Sequence, residues 1–412
     1  MIEVGGAQRA DSRHGLSRAE FIGLLALVST TIAASIDTIL PAFDEIETAF
    51  GKTVGESNIS LSITVFLTAM GVGMLFWGPL ADAFGRKPVM LTSLTFFMVG
   101  CLVSTFAPNF TVFLIGRVIW GAASAGPRTV GLAIIRDSYE GDLMARIMSL
   151  ISAVFLIVPI LAPAAGEAAL QLGSWRYTTA VGGVLGLVAA VWFLRIEETL
   201  APEHVRPLSF RPLVAASREV VRSRTAMLFM FATAMSYGAF FPWLGSSIQI
   251  IDNIYGRGGS FAVLFGLNAV IMGITILLVE RLVARYGTMR LLWSFSFIGL
   301  LVSAVYVSVS LGADGVPNFW LWFAIISMLT AVNAGTNPLF QTKAIEPLGH
   351  VAGTGSSITG AFIFIVGALL GGLIDQFIDT TVTAFGIGFF VLTGLALLSI
   401  AAESRIATTE SR

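Results

Sequence analysis

The feature that most constrains this sequence is a series of twelve long apolar segments separated by shorter polar stretches. A helix that crosses the hydrocarbon core of a bilayer needs about 20 mainly apolar residues. Only 12% of the residues are charged, against about a quarter in a soluble domain, so twelve such helices cannot be given a polar surface. The sequence therefore predicts an all-α integral membrane protein. We place the twelve helices at 19–43, 57–80, 88–107, 110–135, 145–171, 177–196, 226–250, 261–284, 288–311, 318–340, 353–377 and 381–403.

The positions of the basic residues predict the orientation of these helices. Nineteen of the 24 lysines and arginines fall in the segments that share a side with the N-terminus. Three fall on the opposite side, at Lys52, Arg176 and Arg257, and two, Arg117 and Arg128, fall inside predicted helix 4. Because Lys and Arg accumulate in cytoplasmic loops, we expect both termini to face the cytoplasm.

The longest polar interruption divides the chain into two sets of six predicted helices. It runs over 197–225 and contains three prolines. A weak internal repeat supports the division, because Leu80–Gly85 after helix 2 is similar to Leu282–Gly287 after helix 8, at an offset of 202 residues. Two six-helix halves in parallel repeat are typical of transporters that rock around a midplane site. The predicted parts are a cytoplasmic tail (1–18), a six-helix half (19–196), a cytoplasmic linker (197–225), a second half (226–404) and a tail (405–412).

Composition excludes several other classes of function. A net charge of -1, with no basic cluster interleaved with aromatic residues, excludes nucleic acid as a partner. One cysteine, Cys101, cannot form an intramolecular disulfide, and three scattered histidines predict no metal site. We find no nucleophile paired with a general base and no nucleotide-binding loop, so we expect neither an enzyme nor a cofactor. An ATP-driven motor is therefore not expected.

A polar motif joins predicted helices 2 and 3, with the sequence Gly78-Pro79-Leu80-Ala81-Asp82-Ala83-Phe84-Gly85-Arg86-Lys87-Pro88. It resembles the signature loop of the major facilitator superfamily: Gly, three residues, Asp, two residues, Gly, Arg and a second base. The resemblance implies the major facilitator fold, with two pseudo-symmetric six-helix halves, and a monomer. The alternative is that its charges, Lys87 among them, only enforce the orientation of the chain.

The residues of this gating loop predict specific contacts. Gly78 and Gly85 would permit a tight turn with close backbone approach. Asp82 would point at a neighbouring helix N-terminus, for which the start of helix 11 is a candidate. Arg86 would reach Asp137 at the inner end of helix 4 and latch the halves in the outward-facing state.

Predicted helix 5 carries a second motif, Pro159-Ile160-Leu161-Ala162-Pro163-Ala164-Ala165-Gly166. Prolines at i and i+4 bend a helix, and small residues let another helix approach its backbone. The segment resembles the helix-5 motif of proton-driven exporters, and this resemblance implies a seal against helix 8 through Pro159, Pro163 and Gly166. The alternative is a kinked packing helix with no bearing on the direction of transport.

Two charges inside the predicted helices suggest a proton site. Asp37 lies about 18 residues into helix 1, which places it about 26 Å from the cytoplasmic surface. Arg117 lies at a similar height in helix 4, so the two side chains are predicted to pair. An acid whose proton affinity is lowered by an arginine and raised by burial suits proton coupling. A permanent structural ion pair is the alternative.

The sequence around Asp37, Ser35-Ile36-Asp37-Thr38-Ile39-Leu40-Pro41-Ala42, resembles the acidic helix-1 motif of the bicyclomycin-resistance-like (Bcr/CflA) drug exporters. Arg117-Val118-Ile119-Trp120-Gly121 is similar to their helix-4 motif. The resemblance implies that Asp37 takes part in proton and substrate binding. Protonation from the periplasm would weaken its hold on Arg117 and release substrate.

Further polar and aromatic residues are candidates for the substrate cavity. Arg128 lies 11 residues after Arg117, which returns to within about 20° of the same helix face. Both guanidinium groups would then point into one cavity and favour a carboxylate-bearing substrate, unless Arg128 has a structural partner. In helix 10 a polar stripe at i, i+4 and i+8 would line the cavity or a helix interface. The remaining candidates are the stripe Asn333, Asn337 and Gln341, with Tyr237, Trp243 and Asn268.

The sequence predicts a proton-coupled antiporter that exports drugs or other small amphipathic molecules across the bacterial inner membrane. The direction of transport is implied by the resemblance alone. Three alternatives remain: a dedicated exporter of one metabolite or siderophore, which Arg128 favours, a proton-coupled importer, and a non-transporting membrane receptor. The expected partners are a small-molecule substrate, protons and the lipid bilayer.

Overall fold

The structure is a computed structural model that describes residues 14–51, 59–209 and 211–410. Within these residues twelve helices are long and apolar enough to cross a membrane, which confirms the predicted number. The predictions for the tail residues 1–13 and 411–412, and for Lys52, lie outside the described residues. The helices are α1 (Arg18–Asp37), α2 (Leu61–Phe84), α3 (Arg86–Thr105), α4 (Phe110–Ser138), α5 (Gly141–Leu170), α6 (Arg176–Phe193), α7 (Arg224–Gln249), α8 (Phe261–Tyr286), α9 (Thr288–Leu311), α10 (Phe319–Ile345), α11 (Ala352–Asp375) and α12 (Thr383–Glu410).

A proline accounts for the position at which the first helix ends. Helix α1 ends at Asp37, four residues before Pro41, whose ring would clash with the Asp37 carbonyl if the helix continued. A 3₁₀ turn, Leu40–Ala42, and a short helix, Phe43–Ala49, follow. The first predicted helix, 19–43, therefore contains a break that its apolar run does not reveal.

The chain forms two compact units. The first comprises the described residues of Met1–Phe50 and Ala69–Arg211, and the second those of Gly51–Thr68 and Pro212–Arg412. The first turns of α2 thus group with the second unit, although the sequence places this helix wholly in the first half. The reason is local packing, because a Cβ atom on Gly372 of α11 would lie 2.6 Å from the Thr64 side chain.

The two units repeat one pattern of helix packing. In the first unit α1 packs on α5 and α6, and α3 packs on α4 and α6. In the second unit α7 packs on α11 and α12, and α9 packs on α10 and α12, so each pair recurs six helices later. The turns repeat as well, because Gly85 before α3 and Gly287 before α9 both have positive φ, 95° and 81°. This parallel repeat confirms the predicted fold of two six-helix sets.

The predicted linker contains helical structure. A 3₁₀ turn, Pro202–His204, precedes a 12-residue helix, Arg211–Arg222, which we call the linker helix. Ala216 and Val220, four residues apart, are buried on one side of this helix, whereas Val214 and Val221 are exposed. A buried pair at i and i+4 is the spacing of an amphipathic helix.

Candidate functional site

The first candidate site lies at the end of α1, where Asp37 is buried. Only 3% of this residue is exposed, and within the described part of the chain no hydrogen bond or ion pair to its carboxylate is found. The next residue, Thr38, is held by its hydroxyl, which donates to Ala34 O at 2.7 Å and to Thr178 O at 3.2 Å. The backbone around the acid is therefore fixed while the carboxylate itself lacks a partner among the described residues.

Arg117 contacts the same helix but not the acid. It is fully buried, its Nη1 donates to Ser35 O at 2.8 Å, and its guanidinium lies 5.2 Å from the ring centroid of Trp120. The predicted ion pair with Asp37 is wrong, because no such pair joins these two described residues. The physical reason is helical periodicity, since Ser35 and Asp37 are two residues apart and so lie on nearly opposite faces of α1.

Helix α5 contacts the backbone at the end of α1. A Cβ atom on Gly166 would lie only 2.2 Å from Thr38 O, a distance that two atoms outside a bond do not reach. The prediction that a small residue of this motif admits a close neighbour is confirmed for Gly166 at the end of α1, and the seal against helix 8 stays a prediction. Pro159 and Pro163 both lie inside α5, which runs without a break over Gly141–Leu170.

The gating loop is built around one arginine. Arg86 Nε donates to Asp137 Oδ2 at 2.8 Å, and its Nη1 donates to Asp82 Oδ1 at 2.5 Å. The predicted contact between Arg86 and Asp137 is therefore confirmed. In this structure the Asp82 carboxylate binds the arginine one turn later on the chain, and the guanidinium bridges two carboxylates with one charge-assisted hydrogen bond to each.

The turn of this loop depends on Gly85 alone. Gly78 and Asp82 both lie within α2, which continues to Phe84, so the prediction that Gly78 forms the turn is wrong. Gly85 has a φ of 95°, a conformation that costs an L-residue energy, and a Cβ atom there would lie 2.5 Å from Glu198 Oε2. The side chain of Lys87 also makes a hydrogen bond, because its Nζ donates to Leu194 O at 2.8 Å.

Glu198 completes the loop and is missing from the residues that the sequence predicts for this site. Its carboxylate accepts from the backbone N–H of Arg86 at 2.9 Å and of Lys87 at 3.0 Å. The first N–H groups of a helix have no partner within the helix, and their positive end favours an anion. Glu198 thus caps α3 from beyond the end of α6, a contact over 112 residues that only tertiary structure reveals.

The amide stripe of α10 binds to α7. Asn333 Nδ2 donates to Ser236 O at 2.8 Å and to Ser236 Oγ at 2.9 Å, and Gln341 Nε2 donates to Tyr237 OH at 3.0 Å. Asn337 Nδ2 donates to Asn333 Oδ1 at 2.8 Å. Of the two predicted placements, this structure therefore shows the helix interface.

Two further candidates of the second unit are also engaged in helix contacts. Asn268 of α8 is fully buried, and its Nδ2 donates to Thr330 Oγ1 at 2.9 Å and to Ser327 Oγ at 3.3 Å, both on α10. The indole of Trp243 is 1% exposed and stacks on Phe265, with ring centroids 5.7 Å apart.

Arg128 lies in a different environment from Arg117. It is exposed, whereas Arg117 is fully buried against α1. The two arginines therefore differ in burial, and a cavity shared by both guanidinium groups stays a prediction. Eleven residues span about 16 Å along α4, and neighbouring helices cross at an angle, so a shared helix face does not meet the same neighbour at both heights.

Comparison with known proteins confirms the resemblance that these motifs predict. A sequence model of the Major Facilitator Superfamily matches residues 25–372. The Bicyclomycin resistance protein homolog of Haemophilus influenzae is 28% identical over 359 residues, which cover 86% of this chain and 88% of the relative. Multidrug resistance protein MdtM of Escherichia coli O157:H7 is 27% identical over 324 residues, or 76% and 75% of the two chains. The crystal structure of a D-xylose-proton symporter covers 93% of this chain and 96% of its own, with a TM-score of 0.73 at 12% identity, which shows a shared fold.

Proposed function

Because this chain belongs to the major facilitator superfamily, it is a multi-pass membrane transporter, and we propose that it exports drugs or other small amphipathic molecules in exchange for protons. The names of the two curated relatives support this substrate class. The distribution of basic residues supports both termini on the cytoplasmic side of a bacterial inner membrane. In this proposal the transporter works as a monomer, with the proton gradient as its energy source and no cofactor.

The observation that carries the proposal is the buried carboxylate of Asp37. An ionised carboxylate inside a membrane protein is costly unless a cation or several donors compensate it. Asp37 has no such partner among the described residues, so uptake of a proton removes most of this cost. We infer that Asp37 binds the transported proton when the site opens to the periplasm and releases it when the site opens to the cytoplasm.

In this mechanism Arg117 positions the helix that ends in Asp37. Its bond to Ser35 O ties α1 to α4 two residues before the acid. The contact of Gly166 with Thr38 O fixes the residue that follows the acid. Since a guanidinium keeps its charge at every physiological pH, Arg117 also supplies a constant positive field near the site. Arg117 is thus a positioning residue and not a permanent ion-pair partner.

We propose that the gating loop controls the change between the two open states. Arg86 bridges α2 and α4 through Asp82 and Asp137, and Glu198 fixes the start of α3. A cluster that joins three helices and the end of α6 moves as one body. Movement of this cluster as a unit would carry the cytoplasmic ends of these helices together between the two states that alternating access needs.

A second candidate function is the export of one carboxylate-bearing metabolite or siderophore. The observation that favours it is Arg128, an exposed guanidinium on a helix of the candidate site. Guanidinium binds carboxylates with two parallel hydrogen bonds, which gives both affinity and geometry. A panel of cationic, neutral and carboxylate-bearing compounds separates this function from general drug export.

The test uses inverted, respiring membrane vesicles, in which respiration acidifies the lumen. Addition of an exported compound is expected to release protons from the lumen of vesicles that contain wild-type protein. Asp37→Asn removes the titrating group with little change of shape and is expected to abolish this release. Glu45→Gln, at an exposed acid of the short helix after α1, is the matched control and is expected to behave as wild type.

Other outcomes contradict the proposal. If Asp37→Asn retains full proton release, the acid is structural and the coupling mechanism is wrong. If the wild-type vesicles respond to no compound of the panel while a purified sample binds one of them, the chain acts as a receptor and not as an exporter. If a compound loaded into the lumen leaves it together with protons, the protein is an importer, because the lumen of an inverted vesicle corresponds to the periplasm.

A further inference from the structure

A second buried carboxylate lies in the other six-helix unit, at Asp375. It is the last residue of α11, and it is 6% exposed. Ser246 Oγ of α7 donates to Asp375 Oδ1 at 2.5 Å. On its other side the carboxylate meets the backbone of α7, because a Cβ atom on Gly245 would lie 2.5 Å from Asp375 Oδ2. The acid is therefore enclosed against α7 with one hydroxyl as its hydrogen-bond donor.

The groups that face this carboxylate are neutral. Gly245 and Ser246 face it from α7, and a Cβ atom on Gly245 would lie 3.3 Å from Cβ of Ser60, before α2. The charged residues at the ends of the surrounding elements are engaged or exposed elsewhere. Asp379, beyond α11, and Asp314, between α9 and α10, are exposed. Asp252, after α7, accepts a hydrogen bond from Gly258 N at 3.1 Å. The guanidinium of Arg257 lies 4.6 Å from the ring centroid of Phe319, at the start of α10. Within the described residues, none of these four forms an ion pair or hydrogen bond with Asp375.

The position of Asp375 mirrors that of Asp37. In the first unit α1 packs on α5, and in the second unit α7 packs on α11. The acid of the first unit ends the first helix of its pair, and Gly166 of the partner helix contacts the backbone beside it. In the second unit the acid ends the partner helix, α11, and the contacting glycine, Gly245, lies on α7. Each unit thus holds one buried acid at this helix pair, with a close glycine contact at the residue after the acid in the first unit and at the acid itself in the second.

We propose that Asp375, with Ser246, is a second proton-binding site that takes up and releases its proton separately from Asp37. A carboxylate with one donor and no cation is stabilised by protonation, because a neutral carboxylic acid both accepts and donates one hydrogen bond. Ser246 Oγ can donate to one oxygen of the acid in either protonation state. This inference rests on the proposed proton coupling for its role in transport, since two separate acids allow two protons per cycle.

The protonation of each acid can be measured without any transported compound. Infrared difference spectra of the purified protein, recorded during a pH change, show the C=O stretch of each carboxylic acid that gains a proton. We expect Asp375→Asn to remove one such band and Asp37→Asn to remove another. Ser246→Ala keeps the acid and removes its donor, so the band assigned to Asp375 is expected to shift in frequency and in its titration midpoint.

Asp379→Asn is the matched control, because it removes an exposed acid four residues away and is expected to leave both buried-acid bands in place. Size-exclusion profiles of the variants confirm that each is folded. If a folded Asp375→Asn protein gives the wild-type difference spectrum, Asp375 does not change protonation and the proposal is overturned. The same holds if Ser246→Ala leaves every band unmoved.

A transport measurement then tests the role of the second site. In vesicles, the number of protons released per exported molecule is expected to fall by about half in Asp375→Asn. An unchanged ratio overturns a coupling role for Asp375. Because the infrared bands need no substrate, they distinguish failure of the second site from failure of the proposed export function, which would remove transport and leave both bands.

Discussion

The two six-helix units share a packing pattern but differ in the chemistry of their buried polar groups. In the first unit the polar interior is ionic, with Asp37, Arg117 and the cluster around Arg86. In the second unit, apart from the acid Asp375, it consists mainly of amides and hydroxyls, such as Asn333 with Ser236. An ionic group inside a membrane protein is costly and therefore suggests a role in transport, whereas interhelical amide bonds mainly stabilise packing. The first unit therefore combines buried charges of both signs, whereas the second unit surrounds a single buried acid with neutral polar groups among its described residues.

Replacement of Arg117 tests this difference most strongly. Arg117→Ala removes a charged donor from Ser35 O, worth about 1.5–3 kcal/mol, and frees the end of α1, so we expect transport to fall below detection. Asn333→Ala removes neutral bonds worth about 1 kcal/mol each and is expected to lower the thermal midpoint while transport persists. Vesicle transport and thermal unfolding of both variants provide the measurement. Equal loss of transport in the two would show that the amide network is as functional as the charge.

Glycine at the paired helices provides a second comparison. Gly166→Ala places a Cβ atom 2.2 Å from the backbone oxygen of Thr38, the residue after α1, so α5 and the end of α1 must separate. Gly367→Ala on α11 meets its nearest atom, Tyr237 Cβ, at 3.1 Å, which a small adjustment relieves. We expect Gly166→Ala to destabilise the protein by about 1–3 kcal/mol, as overpacking does, and Gly367→Ala to cost clearly less. Thermal midpoints measured in one detergent decide between them, and equal shifts would contradict the expectation.

The repeated loops give the smallest expected contrast. Arg86 binds two carboxylates, whereas the guanidinium of Arg285, in the last turn of α8, lies 5.4 Å from the ring centroid of Tyr286. Arg86→Ala is expected to slow transport about tenfold, since loss of about 1.4 kcal/mol corresponds to that factor, and Arg285→Ala to change it little. Initial export rates measure both effects. A double variant, Arg86→Asp with Asp137→Arg, should recover part of the loss if the ion pair itself is needed.

The sequence predicts most of the fold because membrane helices can be recognised in a sequence by their length and their apolar composition. The number of helices, the six-plus-six division and the bond from Arg86 to Asp137 all follow from local motifs. Contacts set by helix rotation do not, so the pair between Asp37 and Arg117 was predicted wrongly from equal depth alone. A carboxylate two residues from the end of predicted helix 11 cannot be told from a loop residue by pattern, which is why Asp375 does not stand out.

Glu198 has a consequence for the order of assembly during synthesis. The start of α3 leaves the ribosome 112 residues before the carboxylate that caps it, a delay of about 6–22 seconds at 5–20 residues per second. During that time the backbone N–H groups of Arg86 and Lys87 lack their final partner. The backbone bond from Glu197 N to His14 O, at 3.1 Å, forms at the same late step. The first unit therefore closes only when its sixth helix has been made, and insertion of the earlier helices proceeds with an unfinished gating loop.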